Sequence, residues 1–204
     1  PVVHVGRDDD GTLDITLVRP STSRAEDLDI QPIARHAFGI CSSGSTGTPK
    51  VILPPNTSEW DGRIGPTFMD GWRPVPRPQR ILVLGPMYHA NAFTSLLYLL
   101  AGDELVLLRR FDAATAVDII ERHRITHFVA TPTMLQRIAD VPGVDDRDLS
   151  SIDWILQGAA SMPASLMARW FELIRPEQLA MTYGMSEGFG ITALRGDEWL
   201  EHPG

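Results

Sequence analysis

Glu104-Leu-Val-Leu-Leu108, Ala113–His123 and His127-Phe-Val-Ala130 follow one another directly, and their reading decides the fold. Two short apolar runs without alternation flank a segment whose apolar residues recur at helical spacing. Runs of this kind suit strands buried on both faces, and the segment between them suits a crossover helix. The same alternation extends in both directions. Strand-like runs appear at Ile81–Leu84, Trp154–Leu156 and Gln178–Thr182, with helical patterns at Asn91–Ala101, Thr133–Ala139 and Pro163–Ile174. In the last of these, Leu166, Trp170, Phe171 and Ile174 form one apolar stripe. The expected class is therefore α/β, a largely parallel sheet with βαβ crossovers.

The amino-terminal part reads differently. Val2–Val5 and Leu13–Val18 flank the acidic turn Asp8–Gly11, which predicts a β-hairpin. Residues 54–80 carry six prolines, and a short helix is expected around Trp60–Trp72. The expected organisation is a β-rich amino-terminal segment with a Pro-rich connection over residues 1–80, then an α/β subdomain over residues 81–204. Pro1 and His202-Pro203-Gly204 read as cuts through a longer protein.

Composition narrows the function. The chain has 204 residues, is 43% hydrophobic and 22% charged, and carries a formal net charge of −8. That balance argues against nonspecific nucleic-acid binding and against docking on an anionic membrane. The most apolar helix candidate is shorter than the ~20 residues of a membrane span. A single cysteine, Cys41, rules out an internal disulfide and fits a reducing compartment, so a cytoplasmic location is expected. Cys41 follows an apolar run and is expected to be a buried small hydrophobe. No Cys/His cluster with zinc spacing exists.

In an open α/β sheet, ligands bind beyond the carboxyl ends of the strands. Those ends are Gly85–His89, Arg109–Asp112, Thr131–Thr133, Gln157–Ser161 and Tyr183–Glu187. They hold nearly every unusual polar residue of the second half, which points to one shared site. Tyr183-Gly-Met-Ser-Glu187 offers a ring to stack on a base, a hydroxyl and a carboxylate. Its plain reading is a turn with a packed tyrosine. Gln157-Gly-Ala-Ala-Ser161 lets a flat ligand approach backbone, or is an ordinary turn with Ser161 as helix cap. His89 lines a substrate entrance or bonds the backbone. Asp112 and its neighbours read as a strand end and helix cap.

Upstream, Ser42-Ser-Gly-Ser-Thr-Gly-Thr-Pro-Lys50 combines two glycines, hydroxyls and a terminal lysine. Small residues let backbone N–H groups gather around phosphate oxygens, and Lys50 adds a point charge. It is not the nucleoside-triphosphatase P-loop, because the glycines are too close together and Val51 follows the lysine.

Taken in order, Ser42–Lys50, Pro86–His89, Gln157–Ser161 and Tyr183–Glu187 resemble the motifs of the adenylate-forming superfamily. That group includes acyl-CoA synthetases, firefly luciferase and peptide-synthetase adenylation domains. The resemblance runs from about Ala37 to Gly204 and implies part of that family's large N-terminal domain. It implies that a carboxylate attacks the α-phosphate of Mg-ATP to give acyl-AMP and pyrophosphate. A thiol, normally that of coenzyme A, then displaces AMP. ATP, Mg²⁺ and coenzyme A are the implied cofactor and co-substrates, with a small carboxylic acid as partner; a homodimer stays open.

By similarity, Ser42, Ser43, Gly44, Ser45, Thr46, Gly47 and Lys50 form the phosphate loop. Tyr183 stacks on adenine, with Gly158, Ala159 and Ala160 forming the pocket wall and Gly184 among the nucleotide-binding residues. Ser186 touches the α-phosphate and Glu187 holds Mg²⁺. His89 meets the acid, with Gly188, Phe189 and Gly190 near the acyl group. Lys50, His89 and Glu187 are the implied catalytic set.

The chain also departs from the family. The ribose-binding aspartate motif, the hinge and the small carboxyl-terminal lid domain with its lysine are absent, and the amino-terminal lobe is largely missing. Little turnover is expected from these 204 residues alone. Pro86–Phe93 lacks the aspartate that amino-acid-activating relatives use, which disfavours an amino-acid substrate. Asp197–Gly204 resembles ligases of bulky acids such as bile acids or steroid side chains; fatty acids are equally compatible. Two further readings stand beside the ligase. One is an adenylating enzyme that delivers to a carrier protein, and the other is a non-catalytic nucleotide-binding module.

Overall fold

Strands β5 (Arg80–Val83), β6 (Glu104–Leu108), β7 (His127–Ala130), β8 (Trp154–Gln157) and β9 (Leu179–Gly184) run parallel at the centre of one sheet. The computed structural model describes residues 2–5, 15–18, 39–42, 47, 50–53, 75–89, 92, 94–185 and 191–202. Among these, antiparallel strands complete both edges. The hairpin β1 (Val2–Val5) and β2 (Ile15–Val18) joins through β2 to β6, and β10 (Ile191–Arg195) pairs with β9. The order is β1-β2-β6-β5-β7-β8-β9-β10. A separate two-stranded sheet pairs β3 (Ile40–Ser42) with β4 (Lys50–Ile52).

Alternation along each central strand explains the two-sided core. Leu82, Val106, Phe128, Ile155 and Leu179 face helices α2 (Ala113–Arg122), α3 (Pro132–Ala139) and α4 (Ala164–Leu173). Ile81, Val83, Leu105, Trp154 and Ala180 face the other way, toward Val75, Ala92 and Tyr98 of the short helix α1 (Leu96–Leu100). Because both faces are covered, the strands read as continuous apolar runs. Of the expected stripe, Leu166, Trp170 and Ile174 are buried and Phe171 is half-buried, with Trp170 Nε1 donating to Leu135 O at 3.2 Å.

Local chemistry sets the helix starts. Asp112 caps α2, its carboxylate accepting from Thr115 N at 2.8 Å. Thr131 caps α3 with Pro132 in the first turn. Before α4 the expected cap does not form. Pro163 holds the cap position with no side-chain bond, and Ser161 lies exposed two residues earlier.

The parallel sheet and its crossovers agree with the α/β expectation. The expected amino-terminal strands pair antiparallel over Val2–Val5 and Ile15–Val18, and Leu13 and Asp14 lie outside the described residues. Strand β9 extends to Gly184, so Tyr183 and Gly184 end a strand rather than sit in a loop. Pairing with β10, which the sequence pattern did not predict, prolongs it. Cys41 is exposed instead of buried, because β3 belongs to a two-stranded hairpin whose Val51 and Leu53 are also exposed. The Asp8–Gly11 turn and the Trp60–Trp72 helix lie outside the described residues. Among the described residues, no helix is long and apolar enough to cross a membrane.

Candidate functional site

Five parallel strands place five carboxyl ends on one side of the sheet. At two of them, β8 and β9, a cavity of ≈ 500 Å³ opens. Its rim carries Ala159, Ala160 and Ser161 from the turn after β8, with Tyr183 and Gly184 from the end of β9. Its floor is apolar: Met162, Met167, Met181, Leu194 and Trp199 line it, with Thr182 and Thr192 at the sides.

The turn after β8 is held in shape by its own residues. The Gln157 side chain is buried, and its Nε2 donates to Gly158 O at 3.1 Å and Ala160 O at 2.6 Å. Thr182 Oγ1 donates to Gln157 O at 2.9 Å, tying β9 to the base of the turn. A Cβ on Gly158 would stand 3.0 Å from that hydroxyl oxygen, so glycine answers a close approach. Ala159 adopts φ 71°, in the left-handed region that alanine rarely occupies. The result is a flat ledge of small residues.

Opposite the ledge, Tyr183 is 72% exposed, so its ring is available to a ligand rather than packed. Its carbonyl pairs across to Thr192. Behind it, β10 leads into helix α5 (Gly196–Glu201), which brings Trp199 beneath the cavity beside Phe171, ring centroids 6.3 Å apart. A Cβ on Gly196 would lie 2.5 Å from Pro176 O and 2.7 Å from Phe171 Cε1, so only glycine lets α5 pack this closely. Chemically, the cavity presents a ledge, a ring and an apolar floor, which together suit a flat heteroaromatic ligand.

The expected site residues fall in four groups. Ala159, Ala160, Tyr183 and Gly184 come together at this cavity, and Gly158 lies buried beside it against Thr182 without lining it. Ser42 and Lys50 pair with one another across the antiparallel β3 and β4. Gly47, between them in sequence, has φ 84°, a conformation that favours glycine, and Lys50 is exposed. His89 heads the segment after β5, exposed, its ring 4.8 Å from that of Tyr88 and its N–H donating to Pro86 O. Neither Lys50 nor His89 lines the cavity. Ser43, Gly44, Ser45, Thr46, Ser186, Glu187, Gly188, Phe189 and Gly190 lie outside the described residues. Among the described residues, no cluster of three His, Cys, Asp or Glu side chains stands ready for a metal ion.

Sequence reasoning missed the floor. Leu194 and Trp199 sit on β10 and α5, elements with no long apolar run. The signal available was Gly196 between a short strand-like stretch and an acidic helix start. Gln157 was read only as part of a loop motif.

The model of the AMP-binding enzyme family matches residues 7–204 of this sequence. The chain belongs to the AMP-binding enzyme family. It is 31% identical over 199 residues to 4-coumarate–CoA ligase 3 of Oryza sativa subsp. japonica, covering 95% of this chain and 35% of that protein. It is 31% identical over 146 residues to a medium/long-chain-fatty-acid–CoA ligase of Mycobacterium tuberculosis, covering 72% of this chain and 25% of the relative. The chain thus spans between a quarter and about a third of these AMP-binding relatives. Among solved structures, the inhibitor-bound N-terminal domain of FACL13 from Mycobacterium tuberculosis superposes with a TM-score of 0.71 at 22% identity. The match covers 88% of this chain and 45% of that one. That likeness shows the fold alone, the α/β architecture of that N-terminal domain.

Proposed function

We propose that the chain is the nucleotide- and acid-binding part of an AMP-forming acid–thiol ligase. The observation that carries this is the cavity at the ends of β8 and β9, which Ala159 and Ala160 of the small-residue turn line together with the exposed Tyr183. Adenine lies on the ledge with its face against Tyr183, and the apolar floor excludes water below it. The phosphates extend toward the Ser42–Lys50 loop, where backbone N–H groups, the hydroxyls of Ser43, Ser45 and Thr46, and the Lys50 ammonium neutralise their charge. Ser186 donates to the α-phosphate. Glu187 would hold Mg²⁺, which when bound neutralises phosphate charge.

The acid enters on the His89 side, with Gly188, Phe189 and Gly190 beside its body. A carboxylate oxygen attacks the α-phosphorus, the α–β bridging bond breaks, and pyrophosphate leaves with the electron pair. The coenzyme A thiol then attacks the acyl carbon, the bond from that carbon to the oxygen shared with phosphorus breaks, AMP leaves with that oxygen and the electron pair, and the thiol proton passes to solvent. The chain's part in both steps is positioning and charge neutralisation, so no protein nucleophile is required. The exposed Cys41 has no role in it.

The relatives' names include a hydroxycinnamate ligase and a fatty-acid ligase. Together with the absence of an aspartate in Pro86–Phe93, this favours an acid with an uncharged, apolar body. Exchange of labelled pyrophosphate into ATP, measured with the intact protein over a panel of acids, tests the reading. The expected result is exchange only when an aromatic or aliphatic carboxylic acid is present. Release of ADP, or exchange indifferent to the acid, would refute it.

A further inference from the structure

In the segment that leaves β5, backbone hydrogen bonds fall in one row at every third residue. His89 N–H donates to Pro86 O at 2.9 Å, Ala92 N–H to His89 O at 3.0 Å, Ser95 N–H to Ala92 O at 3.0 Å, and Tyr98 N–H to Ser95 O at 3.1 Å. The Ser95 hydroxyl also donates to Ala92 O. A row of i→i+3 bonds places its members on one face. Ala92, Ser95 and Tyr98 are 1%, 2% and 5% exposed, and Ala92 and Tyr98 pack in one cluster with Ile81, Val83, Leu105 and Trp154. His89 stands exposed at the head of the row.

The far end of the row is fixed by a polar contact inside that apolar cluster. Tyr98 Oη lies 3.0 Å from His127 Nε2, and His127 Nδ1 lies 3.2 Å from Trp154 O. A carbonyl only accepts, so Nδ1 carries the imidazole proton and the Tyr98 hydroxyl donates to Nε2. The imidazole is stacked on the Trp154 ring at 3.4 Å and 13°, and it is wholly buried. None of these groups touches the nucleotide cavity. Helix α1 itself spans five residues, too few to hold its own orientation.

We infer that the Tyr98–His127 hydrogen bond is a positioning anchor, which through the row Tyr98–Ser95–Ala92–His89 fixes the setting of His89 and thereby the fit of the acid. The part concerning the acid rests on the reading of His89 proposed above; the part concerning His89 does not. Rotation of α1 about its axis is the motion that the bond prevents. Each link between the described residues of the row is a hydrogen bond, and that rotation carries to His89 along these bonds.

The test uses the intact protein and three variants. Tyr98→Phe keeps the ring and its burial and removes only the donor. His127→Leu removes both imidazole bonds. His127→Gln offers an acceptor to Tyr98 and a donor to Trp154 O. The first readout is the imidazole NMR signal of His89, identified by its loss in His89→Gln. The second is acid-dependent pyrophosphate exchange with one slender and one bulky acid.

The expected result is that Tyr98→Phe and His127→Leu shift the His89 signal and raise the KM for acid by about tenfold. The ratio between the two acids changes while the KM for ATP stays within about twofold, and His127→Gln keeps the wild-type signal and ratio. A His89 signal unmoved in both Tyr98→Phe and His127→Leu would overturn the anchor. So would equal rises in the KM for acid and for ATP, which a general loss of structure produces. If the wild-type protein shows no acid-dependent exchange, the functional reading fails, and the NMR signal alone still decides whether the anchor sets His89.

Discussion

Among the described residues, Ala159 and Arg124 are non-glycine residues with positive φ, and Ala159 stands on the ledge of the candidate site. Its φ of 71° costs a non-glycine residue on the order of 1–2 kcal/mol. Ala159→Gly relieves that strain but adds entropy to the unfolded chain, about 0.5–1 kcal/mol in the opposite sense. Urea denaturation should therefore find Ala159→Gly equal to or slightly more stable than wild type. Ala159→Val, β-branched at the same φ, should lose on the order of 2 kcal/mol. Gln157 makes a second residue-scale case, since its amide staples the turn at two carbonyls. Gln157→Leu should cost about 1–2 kcal/mol and weaken AMP binding several-fold by titration calorimetry.

Among the elements, α5 shows how a single glycine places a cavity floor. Gly196 has no room for a methyl group between Pro176 O and the Phe171 ring. Gly196→Ala should push the helix outward, lift Trp199 from beneath the cavity and cost about 1–3 kcal/mol in thermal denaturation. AMP affinity should fall with it, although no substituted atom meets the ligand. The same elements show what was readable from residue order. Strands β5 to β8 were legible because both of their faces are buried and each reads as an unbroken apolar run. Strand β10 was not legible: it is mostly exposed and has no such run. The pairing of β2 with β6 joins residues far apart in sequence, and no local pattern carries it. Gly158, Ala159, Ala160 and Tyr183 could be named because small residues and a ring at strand ends have few other uses. Leu194 and Trp199 reach the same cavity only through tertiary packing.

Over the whole molecule, a neutral histidine sealed inside the sheet makes folding sensitive to acid. Burial pushes His127 down to about 3, with the Arg77 charge adding to the effect against the bond to Trp154 O. The unfolded chain binds that proton near pH 6.5 and the folded chain only near 3. Between those values the unfolded state holds more protons, so stability is full above pH 6.5 and is lost as pH falls toward 3. Between pH 7 and pH 4 the loss is on the order of 3 kcal/mol, and His127→Gln should flatten this part of the curve in urea titrations. Carboxylates such as Asp148, whose Ser150 bonds lower its pKa, act in the same direction at lower pH.

The central claim is that an adenine nucleotide occupies the cavity between the Gly158–Ala160 ledge and Tyr183. Titration calorimetry of AMP into the intact protein, its Tyr183→Ala variant and its Gly158→Val variant tests it most directly. Loss of a stacked ring is worth about 1–3 kcal/mol, so Tyr183→Ala should weaken AMP roughly 5- to 100-fold. Gly158→Val, which crowds the Thr182 hydroxyl beneath the ledge, should weaken it at least as much. AMP bound with wild-type affinity by both variants would contradict the account.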